Sequence, residues 1–208
     1  MKFLIADDHA IVRRGLAQIL CDEFPAAKVK EVVNSNQVLE ETRRESWDVI
    51  LLDISMPGRN GIETLKQIRA EGVKAPILML SMHPEDQYGV RVLKAGASGF
   101  LSKDSATDEL LTAIHRVLSG RKYISASVAE KLAESVSHEL DKEAHEMLSD
   151  REMQVLQLIA SGKTVSEIGE ELSLSVNTIS TYRTRLLEKL SLNNNAELTR
   201  YAIDNGLA

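Results

Sequence analysis

Cysteine is nearly absent: the 208-residue chain holds one, Cys21. A lone thiol forms no intramolecular disulfide and, without partner cysteines, no zinc site; it is expected to be a small buried apolar group on a helix. Long hydrophobic runs are missing too, since no stretch approaches the roughly 20 apolar residues that cross a bilayer. The apolar opening, residues 1–6, meets Asp7 and Asp8 at once, which is too soon for a secretory signal. The expectation is a cytoplasmic protein with no membrane association. Neither a Walker-type loop nor a GxGxxG turn is present, so the familiar nucleotide-binding loops are excluded. No repeat or low-complexity tract occurs. Positive charge is also short, with 25 Lys and Arg against 31 Asp and Glu. A net charge of −6 argues against wholesale nucleic-acid binding unless cations concentrate locally.

What is there is ordinary globular composition, 43% hydrophobic and 27% charged. The length suits two domains, one of about 120 residues and one of about 60. Over the first part, aliphatic runs at 3–6, 29–33, 49–52, 77–80 and 99–101 alternate with stretches of helical periodicity: Ile11, Leu16, Ile19 and Leu20; Leu65 and Ile68; Val90 and Leu93; Leu110, Ile114 and Val117. That is the βα rhythm of a doubly wound parallel sheet, with strands too continuous for one wet face. Gly120 and Arg121 close the last helix. The division expected is 1–120 for this domain, 121–147 for a charged, partly helical linker, and 148–208 for an all-α domain of four helices. The last opens on Ser149-Asp150-Arg151-Glu152, a capping box.

In an open parallel sheet the carboxyl ends of the strands carry the ligand site. Asp7 and Asp8 follow the first strand, Asp53 the third, Ser81 the fourth and Lys103 the fifth. Any one of these could simply cap the following helix; all five in this order point to a pocket. Three carboxylates repel one another unless a cation sits among them, and an all-oxygen set suits Mg²⁺. With charge neutralised by the ion and Lys103, Asp53 is placed to attack a phosphoryl group, and Ser81 to hydrogen-bond the new phosphoryl oxygens. Pro57 and Gly58 stop the strand and keep Asp53 at its edge.

The stretches Ala6-Asp7-Asp8-His9, Leu51-Leu52-Asp53-Ile54-Ser55-Met56-Pro57-Gly58 with Gly61 and Glu63, Leu80-Ser81, and Gly96-Ala97 followed by Gly99-Phe100-Leu101-Ser102-Lys103 resemble the receiver domain of response regulators. The resemblance covers residues 1 to about 118 and implies a flavodoxin-like five-stranded sheet of order 2-1-3-4-5. It also implies phosphorylation of Asp53, Mg²⁺ held by Asp7, Asp8, Asp53 and a backbone carbonyl near Ser55, and a switch pair, Ser81 and Phe100. A phosphoryl group would draw Ser81 toward it and let Phe100 turn into the vacated space. Asp104 departs from the receivers that carry proline there. The histidines His9, His83, His115, His138 and His145 are scattered without metal-ligand spacing and are expected to be structural. His83, with Ser55, is placed to tune the lifetime of the phosphoryl group.

In the C-terminal part, helical patterns at 165–172 and 176–190 flank the polar turn Ser173-Leu174-Ser175, a helix-turn-helix spacing. The outward positions of the second helix are Asn177, Ser180, Thr181, Arg183, Thr184, Arg185 and Lys189. Amides and hydroxyls read base edges, and the cations grip phosphates. From Glu146 onward six cations face nine anions, yet from Ser173 to Leu190 three cations face Glu188 alone. Such a small stripe predicts weak binding by one copy and a need for dimers.

Leu148 through Glu152, Leu156 with Ile159-Ala160-Ser161-Gly162, Glu167-Ile168, Leu174-Ser175 through Thr178-Ile179, and Leu187 with Lys189-Leu190 resemble the LuxR-type helix-turn-helix. The whole chain thus resembles the NarL/FixJ family of response regulators. That resemblance implies a cognate histidine kinase as phosphodonor, double-stranded DNA as ligand, and a homodimer formed on phosphorylation. Gly169 stands where the family usually has alanine, at about 1 kcal/mol of helix propensity. Ser180 and Thr184 stand where lysine is common, and residues 196–205 are where the family dimerises on DNA. The chain is expected to accept a phosphoryl group and lose it again, without being an enzyme otherwise. A haloacid-dehalogenase-type phosphohydrolase would want a second acid where Ser55 stands. A regulator that ignores phosphorylation is the other alternative, and the complete acidic pocket speaks against it.

Overall fold

The computed structural model describes residues 1–57, 59–82, 85–103, 105–126, 128–130, 132 and 144–207, without the side chains of Glu85, Asp86, Gln87, Thr107, Asp108 and Glu146. Gly58, His83, Asp104, His138 and residues 133–143 of the expected linker lie outside the described residues. The chain forms two compact units, Met1–Ala133 and Glu134–Ala208.

In the first unit β1 (Lys2–Ala6), β2 (Lys28–Val32), β3 (Val49–Asp53), β4 (Ile77–Ser81) and β5 (Gly99–Ser102) alternate with α1 (Ala10–Glu23), α2 (Ser35–Arg44), α3 (Gly61–Ala70), α4 (Glu85–Lys94) and α5 (Ala106–Leu118). The sheet is all parallel in the order β2-β1-β3-β4-β5. Strand side chains alternate between faces. Phe3, Ile5, Leu51, Leu78 and Leu80 pack with Leu16 and Leu20 of α1 and Leu110 and Ile114 of α5. Their neighbours Leu4, Ile50, Leu52 and Met79 are fully buried as well. Each such side chain removed from water stabilises the fold by roughly 1.5–3 kcal/mol.

Three expectations need correction. The central strands are buried throughout, but β2 is an edge strand whose Lys28 and Glu31 are exposed. Ile11 is 87% exposed at the start of α1, on the face turned from the sheet, and its neighbour Val12 packs against the core instead. Cys21 is exposed on the outer face of α1, because the face that meets the sheet belongs to Leu16 and Leu20. Past α5 the chain returns to the sheet: Tyr123 forms a parallel bridge with Gly99, its N–H donating to the Ser98 carbonyl at 2.8 Å.

Among its described residues the second unit contains a 3₁₀ turn (Ala144–Met147) and four α-helices, α6 (Asp150–Ala160), α7 (Val165–Leu172), α8 (Val176–Leu190) and α9 (Asn195–Asp204). The expected capping box is present at Ser149 and Glu152, and a second, at Thr164 and Glu167, starts α7. Ser173 ends α7 in the left-handed conformation (φ 53°) and Ser175 caps α8, accepting from the Thr178 N–H. Gly169 faces this turn, and a Cβ there would lie 2.9 Å from the Leu174 carbonyl oxygen. Close backbone approach, more than tolerance of a weak helix former, accounts for the glycine. No helix among the described residues is long and apolar enough to cross a membrane.

Candidate functional site

Parallel strands deliver their carboxyl ends to one edge, so Asp7, Asp53, Ser81 and Lys103 arrive together without long-range design. Asp7 and Ser81 are 0% exposed and Asp53 1%. Lys103 reaches in along β5, its side chain 3% exposed, and places Nζ 2.8 Å from Asp53 Oδ2 and 2.8 Å from Asp7 Oδ2. The contact with Asp53 is a directed hydrogen bond. The one with Asp7 Oδ2 is an ion pair at the same distance, and it too favours the ammonium form of Lys103. Asp53 Oδ1 accepts the Ser55 N–H at 3.2 Å, and Asp7 Oδ1 accepts the His9 N–H at 2.8 Å.

Charge in this pocket is unbalanced toward the negative. Burial, reinforced by Asp7 and only partly countered by Lys103, pushes the Asp53 carboxyl up to about 6. For Lys103, burial works against the ammonium, but the Asp53 and Asp7 carboxylates outweigh it and raise its pKa. Asp8 stands at the rim, and donor atoms of Asp7, Asp8, His9 and Asp53 all lie within 4.8 Å of one another. Asp7, Asp8 and Asp53 bring more negative charge than Lys103 offsets, a divalent cation would neutralise it, and the residues present fit one.

Two parts of this pocket were not singled out from sequence. His9, expected to be structural, brings Nδ1 to 2.8 Å from Asp8 Oδ1 and 3.1 Å from Asp7 Oδ1. The signal available was its place directly after the aspartate pair. The other is the floor: a Cβ on Gly61 would sit 2.0 Å from the Asp53 carbonyl oxygen, and the Gly61 N–H donates to the Ile54 carbonyl at 2.9 Å. Buried Asn60 caps α3 there, accepting from the Ile62 N–H. Phe100 is 2% exposed on β5. It lines a cavity of about 330 Å³ with Ser102, Ser105, Glu109, Arg116 and residues 123–125.

On the second unit, Asn177, Ser180, Thr181, Thr184, Arg185 and Lys189 are exposed along α8, while Arg183 is half-buried. Asn177, Thr178, Thr181, Tyr182 and Arg185 line an open depression of about 310 Å³. The hydroxyls of Thr181 and Thr184 donate to the Asn177 and Ser180 carbonyls, which orients their methyl groups and leaves each oxygen able to accept. Two of the three cations have partners: Arg183 Nε donates to Asn195 Oδ1 at 2.5 Å, and Lys189 Nζ to Glu152 Oε2 at 2.7 Å.

Known proteins resemble the chain along its full length. The family model described as the response regulator receiver domain matches residues 3–115, and that of the luxR family of bacterial regulatory proteins matches residues 146–202. Response regulator UvrY of Escherichia coli K12 is 38% identical over 208 residues, spanning 100% of this chain and 95% of its own. Response regulator GacA of Pseudomonas aeruginosa is 32% identical, spanning 100% and 97%. Among solved structures, RcsB of Salmonella enterica serovar Typhimurium, bound to promoter rprA with the phosphomimetic BeF3−, matches with a TM-score of 0.62. Its identity is 28%, and the match covers 97% of this chain and 98% of that one.

Proposed function

Because the chain belongs to the response regulators that join a receiver domain to a LuxR-family DNA-binding domain, we propose that a histidine kinase passes a phosphoryl group to Asp53 and that this modification promotes homodimerisation and sequence-specific binding of double-stranded DNA, thereby regulating transcription. The observation that carries this reading is the buried Asp53 carboxylate, held by Lys103 at the open end of the sheet beside Asp7 and Asp8.

Asp7, Asp8, Asp53 and the Ser55 carbonyl would hold Mg²⁺, which would neutralise charge on the incoming phosphoryl group. Asp53 contributes the attacking oxygen: its bond to phosphorus forms as the donor's phosphorus–nitrogen bond breaks, and the imidazole leaves with the electron pair. Lys103 exchanges its contact with Asp53 Oδ2 for one with a phosphoryl oxygen, and the Ser81 hydroxyl donates to another. Phe100 then turns into the space that Ser81 gives up. The acyl phosphate is lost again to water, the only turnover expected of the protein. On α8, Asn177, Ser180, Thr181 and Thr184 read base edges, while Arg183, Arg185 and Lys189 meet phosphates. RcsB, 30% identical over 97% of this chain, has been solved as dimers bound to DNA, which supports double-stranded DNA as the ligand. A chain whose donor is a kinase and whose target is the chromosome works in the cytoplasm.

The test is intact mass after incubation with Mg²⁺ and a small acyl-phosphate donor, beside Asp53→Asn, with size exclusion and DNA binding on the same samples. A single labile adduct absent from Asp53→Asn, together with stronger dimerisation and DNA binding, is expected. An adduct that persists in Asp53→Asn, or DNA binding indifferent to the adduct, overturns the reading.

A further inference from the structure

We propose that His9 is itself a ligand of the pocket's cation, and that the pocket therefore also takes borderline divalent ions, Zn²⁺ foremost, in competition with Mg²⁺. The inference rests on the reading of the acidic pocket as a cation site. Its own ground is the placement of one imidazole. His9 Nδ1 lies 2.8 Å from Asp8 Oδ1 and 3.1 Å from Asp7 Oδ1. With Asp53 these groups offer four donor atoms within 4.8 Å of one another. The His9 N–H is tied to Asp7 Oδ1 at 2.8 Å, so the backbone that carries the ring is fixed to the pocket wall. The ring makes no capping bond to α1 and is 59% exposed, which leaves it at the mouth through which an ion enters. Inside, the buried Asp7 Oδ2 and Asp53 Oδ2 share the Lys103 ammonium, which cannot offset both carboxylates.

An all-oxygen set favours Mg²⁺, whereas imidazole favours borderline ions such as Zn²⁺ and Ni²⁺. One nitrogen among three carboxylates therefore shifts the preference toward those ions. Zn²⁺ also prefers four ligands, so an ion that takes all four protein donors has no position left for a phosphoryl oxygen. A zinc-loaded receiver is then a poor phosphoryl acceptor, and the pocket becomes sensitive to transition metal as well as to its donor.

Calorimetric titration of the full chain with ZnCl₂, and separately with MgCl₂, tests this in the parent, His9→Ala and Asp8→Asn proteins, with thermal melts confirming the fold. In His9→Ala, Zn²⁺ affinity is expected to fall by about tenfold or more while Mg²⁺ affinity stays within about twofold. Asp8→Asn should weaken both ions, which assigns the heat to this pocket. Unchanged Zn²⁺ affinity in His9→Ala overturns the proposal and leaves the Mg²⁺ site standing, and an equal loss for both ions makes His9 a positioning residue only. Absence of Mg²⁺ binding by the parent removes the cation reading and the proposal together.

Discussion

An aspartate at the bottom of a pocket is more stable neutral than charged, and burial accordingly pushes Asp53 up to about 6 from 3.8. Between those two values the folded chain keeps a proton that the unfolded chain has lost, so this group's contribution to stability declines as pH rises through that window. Above it, the ionised Asp53 strains the fold that it serves. Asp53→Asn, which resembles the neutral acid, should therefore stabilise the metal-free receiver at pH 7.5 by up to about 3 kcal/mol, the equivalent of roughly two pKa units. At pH 4 the gain should nearly vanish, and saturating Mg²⁺ should narrow it at pH 7.5 by stabilising the parent. Thermal melts at the two pH values, with and without Mg²⁺, check this. Beneath Asp53, Gly61→Ala drives a methyl group into the Asp53 carbonyl. Since neither backbone segment can yield cheaply, a loss of about 1–3 kcal/mol is expected in a urea titration.

At the scale of elements, Glu152 closes the capping box of α6 and also receives Lys189 from α8, so one carboxylate pins the start of one helix to the end of another. Its burial opposes the charge, but Lys189 and Ser149 outweigh that and hold its pKa below the ordinary 4.5. The tie is thus complete above that value and fades as pH falls below it. Glu152→Ala should cost the C-terminal unit about 1–2 kcal/mol at pH 7, and less under acid, in denaturant melts. The elements themselves were largely legible in sequence. Unbroken aliphatic runs announced the central strands, and the order of Asp7, Asp8, Asp53, Ser81 and Lys103 after them announced the pocket. Edge position was not read, although Lys30 and Glu31 break the valines of β2 where the central strands are unbroken. Nor was the Glu152–Lys189 pair, which joins residues 37 apart through a packing angle that periodicity does not encode. His9 was missed for a related reason: its neighbours in the chain spell the pocket, but only its rotamer puts it there.

For the whole molecule, the scarcity of free cations on α8 sets a measurable limit. Each copy offers three, and Arg183 and Lys189 already have partners. A dimer therefore contacts few phosphates through this helix, and the slope of log affinity against log salt should be no steeper than about −5. Fluorescence anisotropy across salt concentrations measures that slope. Arg185→Ala should weaken binding on every sequence alike and make the slope shallower by about 1 per copy. The sheet has a role at this scale as well. At one side β2 presents Lys28, Lys30 and Glu31. At the other, Tyr123 occupies hydrogen-bonding positions alongside Gly99. Charge on the first side and the chain's own continuation on the second discourage a neighbour from extending the sheet strand by strand. Crowded copies thus meet, at β2 and at Gly99, edges less open to strand addition than the strand order alone would offer.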